Sequence, residues 1–201
     1  MIALTREAGL LVLTLDRPDK ANALTGAMLT QIAEALEGPP PSALILTGAG
    51  KVFSAGADLD EMQAGLGTSP LWERVSGAIA ALPCPTIAAL NGTLAGGAMG
   101  MALACDIRLA VPSAKFFYPV MRLGFLPQPS DPQRLRALIG PSRAKMILLA
   151  GAKVEAPEAL AWGLIDRIVE PDALQAAARA LTVDASAAAP AHAAAIKAMI
   201  A

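Results

Sequence analysis

Three short runs decide what this chain can fold into. Residues Leu10–Leu15, 43–46 and Thr86–Leu90 are almost wholly apolar and do not alternate with polar residues. A strand with one wet face alternates, so runs like these fit strands covered on both faces, as in a parallel sheet flanked by helices. The intervening stretches supply such helices. Thr25 reads as an N-cap, and the helix after it runs to about Glu37, where Pro39, Pro40 and Pro41 stop it. A second helix over 71–82 ends at Pro83 and Pro85, and a small-residue helix covers 96–104. Strands are expected at 107–111, 115–117 and 165–169, and helices at 58–63, 133–139, 143–149 and 156–162. Pro171 is expected to open a further helix at its first turn, and alanine-rich helix to fill 185–201. The pattern predicts an α/β layered domain with a helical C-terminal region.

Length and composition narrow the class. The chain has 201 residues, enough for one domain with a substantial core and no need of disulfide or metal staples. We divide it into a core over 1–170 and a helical tail over 171–201. Hydrophobic residues make up 55% and charged residues 16%, which excludes disorder. Mean hydropathy is +0.51, yet every long apolar stretch is broken by a charge, proline or glycine, so no membrane span is expected. The surplus apolar surface points to a homo-oligomer. Sixteen basic residues against seventeen acidic ones leave a net charge of −1, which draws the chain neither to nucleic acid nor to an anionic membrane. Cys84 and Cys105 sit apart in apolar runs and read as reduced core residues. The first sixteen residues carry Arg6, Glu7 and Asp16 without a cleavage pattern, so a cytoplasmic location is expected. His192 reads as a solvated helix residue and Asp106 as structural. No His, Cys and carboxylate cluster has metal spacing.

Two segments carry the chemistry. In 53–59 (Phe-Ser-Ala-Gly-Ala-Asp-Leu) and in 91–100 (Asn-Gly-Thr-Leu-Ala-Gly-Gly-Ala-Met-Gly), a strand runs through small residues into a helix. Such junctions leave backbone N–H groups unpaired and let a ligand approach them closely. Side by side, the two would place two donors on one oxygen, an oxyanion hole that needs no reorganisation during reaction. Each junction alone also has a plainer reading, as a tight turn or close packing. The nucleotide-phosphate patterns GxGxxG and GxxxxGK[ST] are absent, as is the GxSxG elbow of serine hydrolases.

These residues, with others in the same order, resemble a known family. Arg17 and Pro18 precede Lys20-Ala21-Asn22-Ala23-Leu24. Then come Leu44-Ile45-Leu46-Thr47-Gly48-Ala49-Gly50, the segment 53–59, and Pro85-Thr86-Ile87-Ala88-Ala89-Leu90-Asn91-Gly92. Cys105-Asp106-Ile107-Arg108, Leu123-Gly124-Phe125-Leu126-Pro127 and 156–164 follow. The chain resembles the crotonase superfamily, the enoyl-CoA hydratase/isomerase-like enzymes, from about Leu10 to Val169. The resemblance implies the ββα-unit spiral core of crotonase-like (ClpP/crotonase) folds, here with a shortened helical C-terminal region. It implies a trimer or hexamer, an acyl-CoA thioester substrate, and no cofactor beyond the CoA moiety. It also implies lyase or isomerase chemistry in fatty acid metabolism. By position the oxyanion hole falls on the backbone amides of Ala57 and Gly97. The CoA groove falls on Lys20, Ala21 and Ala23 and on Ser54, Ala55 and Asp58. Lys20 is placed either to meet a phosphate or to lie solvated at the surface.

The chain departs from the family where hydration needs proton transfer. The two glutamate positions of the hydratases fall on Gly100 and Val120, and neither residue can move a proton. Ordinary two-glutamate hydration is therefore not expected. Isomerisation, decarboxylation or an atypical hydration through a stabilised enolate remains open. So do a non-catalytic acyl-CoA-binding or assembly subunit and an acyl-CoA thioester hydrolase. Asp131 is the first candidate for a base, with an N-cap role as its alternative. Tyr118 is placed to donate a hydrogen bond to a substrate oxygen or to be a half-buried structural tyrosine. Arg122 is placed to pair with Asp131, with a substrate carboxylate, or with surface groups.

Overall fold

A computed structural model describes residues 1–200. Its strands fall into two sheets, and the chain visits them alternately. Strands β1 (Ile2–Glu7), β2 (Leu10–Leu15) and β3 (Ala43–Gly48) belong to a six-stranded sheet, and β4 (Val52–Ser54) to a four-stranded one. Next, β5 (Thr86–Leu90) returns to the first sheet and β6 (Thr93–Ala95) to the second; β7 (Ile107–Ala110) and β8 (Lys115–Phe117) repeat the alternation. Strand β9 (Val154–Glu155) closes the small sheet and β10 (Arg167–Ile168) the large one. Each pair β3–β4, β5–β6 and β7–β8 leads into helix, which is the expected ββα unit three times over.

Burial explains the apolar runs. Strands β2, β3, β5 and β7 pair in parallel, and every residue of β5 and all but the last of β3 are buried. Helices cover the large sheet. Helix α1 (Gly26–Leu36) is capped by Thr25, whose side chain accepts the Met28 N–H at 3.1 Å. Short α2 (Leu59–Gln63) and α3 (Leu71–Ala81) follow β4, and α4 (Met99–Ala104) follows β6. Helix α5 (Val120–Leu123) follows β8 and leads to α6 (Asp131–Leu148); α7 (Ala156–Trp162) lies between β9 and β10.

The two helices expected at 133–139 and 143–149 form as the two arms of α6, which kinks at Gly140, whose backbone leaves the helical region (φ 77°, ψ 166°) just before Pro141. Other expectations need correction. Pro171 opens a turn, and helix α8 (Leu174–Ala180) begins three residues later. The alanine-rich tail is two helices, α9 (Val183–Ala187) and α10 (Pro190–Ile200), because Pro190 supplies no N–H to continue α9. Strand β1 was not foreseen. Only Ile2 of its six residues is partly buried, so its pairing with β2 leaves no hydrophobic pattern to read.

The tail is fastened to the core by polar contacts. Gln175 donates to Thr47 Oγ1, Arg179 pairs with Glu7, and Lys197 Nζ donates to the Cys84 carbonyl at 3.0 Å and to Asp106 Oδ2 at 2.8 Å. The Asp106 carboxylate also accepts from the Thr86 amide and hydroxyl, the structural role expected for it. Both cysteines are free and buried; burial pushes the Cys84 thiol up to about 11 and that of Cys105 up to about 12. Among the described residues, no helix is long and apolar enough to cross a membrane.

Candidate active site

Each glycine-bearing junction is held by the strand that feeds it, and the two touch. Strands β4 and β6 are parallel neighbours, so their C-terminal ends deliver both junctions to one edge of the small sheet. There the backbones meet at two glycines. A Cβ on Gly56 would stand 3.0 Å from the Ala95 carbonyl oxygen and 3.4 Å from Gly96 Cα, and Gly56 adopts φ +97°. Only a residue without a side chain fits that contact and that conformation.

The first junction is stitched to the 20–24 segment. Ala55 N donates to Ala21 O at 2.9 Å, Leu24 N to Gly56 O at 2.7 Å, and Asp58 N to Leu24 O at 2.8 Å. Asn22 is the hub of this region. It is fully buried, accepts the Arg17 amide at 2.8 Å, and donates to the Ala49 and Val52 carbonyls. Ala21 and Asn22 both take left-handed backbone (φ 50° and 53°), a strain the surrounding hydrogen bonds hold in place.

This stitching selects one amide. Gly56 N is engaged by Ser54 Oγ and Asp58 N by Leu24 O, while Ala57 N, between them, has no hydrogen-bond partner among the described residues. On the second junction, Gly97 lies in the first turn of a short 3-10 helix (Gly96–Ala98), ahead of that helix's first internal hydrogen bond. Ala57 and Gly97 line the same cavity, of about 110 Å³. Trp72 underlies Gly97: a Cβ there would meet the ring at 3.2 Å, and the indole N–H is fixed to Leu66 O at 2.7 Å. Leu59, Met62, Leu123, Phe125 and Leu126 add apolar wall, and no Asp, Glu, His or Lys lines the cavity.

The only ionisable side chain on the lining is Tyr118. Its hydroxyl donates to Asp131 Oδ2 at 3.0 Å and accepts the Gln128 amide at 3.3 Å. Asp131 lies behind it, with no solvent exposure. Its other oxygen, Oδ1, accepts no hydrogen bond and stands 3.8 Å from Arg134 Nη1. Burial pushes the Asp131 carboxyl up to about 7, against the opposing effects of Tyr118 and Arg134, and raises the Tyr118 hydroxyl well above the usual phenol range. Glu73 on α3 accepts the Ser130 amide at 3.0 Å and the Ser130 hydroxyl at 2.5 Å, and so caps α6. Asp131 is the first residue inside that helix, with Ser130 in the N-cap place; its expected N-cap alternative does not hold. Arg122 is exposed on α5, and the cation beside Asp131 is Arg134.

The residues expected to form the CoA groove separate into two groups. Lys20, at the end of a 3-10 turn, is exposed; Ala21 and Ala23 are half-buried; Ala55 lines the cavity. Ser54, by contrast, is fully buried, and its hydroxyl donates inward to Asn22 O, so it faces away from any groove. Asp58 is committed to structure. Its carboxylate accepts Arg17 Nη1 at 2.6 Å and caps α2 through the Asp60 and Glu61 amides, and the Arg17 hydrogen bond holds it below the usual carboxylate range. Sequence reasoning missed the hub Asn22, the Trp72 floor and the Glu73 cap; an asparagine among small apolar residues was the one local signal for the first.

Comparison with known proteins now decides the family. The family model for enoyl-CoA hydratase/isomerase matches residues 5–201. The chain belongs to the enoyl-CoA hydratase/isomerase family. It is 38% identical over 183 residues to a crotonyl-CoA hydratase of Syntrophomonas wolfei, covering 86% of this chain and 70% of that protein. It is 37% identical over 188 residues to a short-chain-enoyl-CoA hydratase of Clostridium acetobutylicum, covering 89% and 72%. Among solved structures, an enoyl-CoA hydratase from Bacillus anthracis superposes with a TM-score of 0.90 at 31% identity, over 99% of this chain and 81% of that one. This fixes the crotonase-like fold.

Within this enoyl-CoA hydratase/isomerase family member, the two positions assigned by resemblance to proton-transferring glutamates are both occupied by groups that move no proton. Val120 is buried on the cavity wall, and Gly100 is buried in α4. Gly100 has an unexpected neighbour. A Cβ there would stand 2.9 Å from Asp131 Oδ1 and 3.2 Å from Oδ2. The carboxylate of Asp131 fills the space that a side chain at position 100 would enter.

Proposed function

We propose that this protein binds an acyl-CoA thioester and stabilises its enolate between the amides of Ala57 and Gly97. The observation that carries this reading is that the Ala57 N–H, flanked by two engaged amides, has no partner and shares its cavity with Gly97. An enolate oxygen held by two fixed donors in an apolar cavity gains several kcal/mol more than it would in water, since one such donor contributes about 2.7–4 kcal/mol. Lys20, Ala21 and Ala23 with Ala55 form the side on which the CoA moiety lies, and Asp58 and Ser54 support it from within.

The walls narrow the reaction. Hydration needs a carboxylate at the substrate to activate water, and none lines the cavity; base-first isomerisation would have to reach the buried Asp131 through Tyr118. Decarboxylation of a β-carboxy acyl-CoA generates the enolate by losing carbon dioxide, so it needs the two donors and a proton, and apolar walls favour departure of the charged group. We therefore place decarboxylation ahead of isomerisation and atypical hydration. Incubation with malonyl-type, short enoyl- and medium enoyl-CoA esters, followed by mass spectrometry, tests the order. Turnover of the enoyl esters alone would reverse it. Free thiol released from a saturated acyl-CoA would point to hydrolysis.

Gly100 and Val120 favour one further reading, an acyl-CoA-binding or assembly subunit without catalysis. It predicts binding of every ester tested and turnover of none.

A further inference from the structure

We propose that Tyr118 is the proton donor to the α carbon of the bound enolate, and that Asp131 is the buried acid that aims and reloads its hydroxyl. The inference rests on the thioester reading above and adds the group that completes its reaction. Three observations carry it. Tyr118 is the only ionisable side chain on the lining of the cavity that also holds Ala57 and Gly97. Its oxygen already accepts the Gln128 amide and touches Asp131 Oδ2 at 3.0 Å. Asp131 has no exposure, and Oδ1 has no hydrogen-bond partner, so proton exchange between this carboxyl and the cavity runs through Tyr118.

The hydroxyl has two settings. With Asp131 ionised, Tyr118 spends its proton on Oδ2 and offers the cavity nothing. With Asp131 protonated, Oδ2–H donates to the tyrosine oxygen. That oxygen then accepts from both Gln128 and Asp131, and its own proton is freed for the cavity that Tyr118 lines. The groups facing Asp131 are Tyr118, Arg134 on its own helix and Glu73 on α3; the cation favours ionisation and the carboxylate opposes it. Burial outweighs both and keeps the acid form populated near neutrality.

The step balances. As the bond from the α carbon to the leaving carboxylate breaks, its electron pair passes into the enolate. The α carbon then takes the Tyr118 proton while Tyr118 takes the Asp131 proton. Asp131 is left ionised and regains a proton from water through the same hydroxyl after product leaves.

The reverse of this transfer can be measured without knowing the natural substrate. Butyryl-CoA is incubated with the protein in deuterium oxide and its α-deuterium content is followed by mass spectrometry and NMR, with binding measured by calorimetry. The expected result is exchange at one of the two α positions, with a rate that rises with pH through about 7 as Asp131 ionises. Tyr118→Phe should lower that rate by about 100-fold or more with butyryl-CoA affinity kept within about twofold. Asp131→Asn should lower it and flatten the pH profile, a change that loss of packing alone does not produce; thermal melts of both variants establish that they are folded. Unchanged exchange in Tyr118→Phe, or none in the wild-type protein while butyryl-CoA binds, overturns the relay and leaves the thioester reading standing. Failure to bind butyryl-CoA overturns the thioester reading and the relay with it.

Discussion

Replacing Gly100 by alanine tests the adjacency on which the site is built. The new Cβ would stand 2.9 Å from Asp131 Oδ1, 3.2 Å from Oδ2 and 3.4 Å from Cγ. Asp131 has little freedom to retreat, being fully buried, in the first turn of α6 and held by Tyr118. Forcing a methyl group into a packed interior costs about 1–3 kcal/mol. Displacing the carboxylate also loses a hydrogen bond to a charged or partly charged group, worth about 1.5–3 kcal/mol. Alanine regains about 1 kcal/mol over glycine within α4. The net loss is about 1.5–5 kcal/mol, which in a chain of this size lowers Tm by roughly 3–20 °C. Urea unfolding at pH 7 measures it directly. Asp131→Gly introduced beside Gly100→Ala should remove the clash, so the double-mutant cycle should show coupling of about 1 kcal/mol or more. A Gly100→Ala protein as stable as the wild type, or a cycle without coupling, would show that Asp131 does not occupy this space.

Gly56→Ala should cost about 1–2 kcal/mol for its left-handed backbone alone, with further loss because its Cβ meets the Ala95 carbonyl at 3.0 Å; acyl-CoA binding by calorimetry should weaken at least tenfold, and retained affinity would argue against the paired amides. Stability should fall as pH rises from about 4 to 7, because folded Asp131, pushed up to about 7, keeps a proton there that the unfolded chain has released. That contribution is complete at the acid end and gone above 7, and Asp131→Asn should remove it from a urea–pH series. Lys197→Ala removes the contacts to Asp106 and the Cys84 carbonyl, so α10 should become the first site of limited proteolysis while α1 stays protected.

Local signals were legible in the sequence wherever they were complete within a few residues. Thr25 as cap, the two-sided apolar runs and the helix over Ala156–Trp162 are of this kind. So were the two junctions, because glycine and alanine at a strand-to-helix change mark a close approach before any fold is known. The contact of Gly100 with Asp131 was not legible, since it depends on how α4 packs against α6. The cap of Glu73 on Ser130 has the same character, linking α3 to the start of α6. The inward turn of Ser54 also escaped, because a serine beside a glycine looks alike whether its hydroxyl meets a ligand or the Asn22 carbonyl. Strand β1 was hidden by its exposure, whereas the break in α6 was legible because Gly140 and Pro141 interrupt the helical pattern locally.

The contact between Gly56 and Gly96 has a consequence for how such a scaffold tolerates change. Main chain alone sets the span between the two loops there, with no side chain wedged between them. Walls and floor can therefore be re-equipped, one residue at a time, without altering the distance between the two loops. A glycine on one helix can be matched by a carboxylate brought in from another, as Asp131 fills the space beside Gly100, while the contact between the two loops stays the same. The part of the molecule that side-chain replacement reaches least is the part every variant of the chemistry would share.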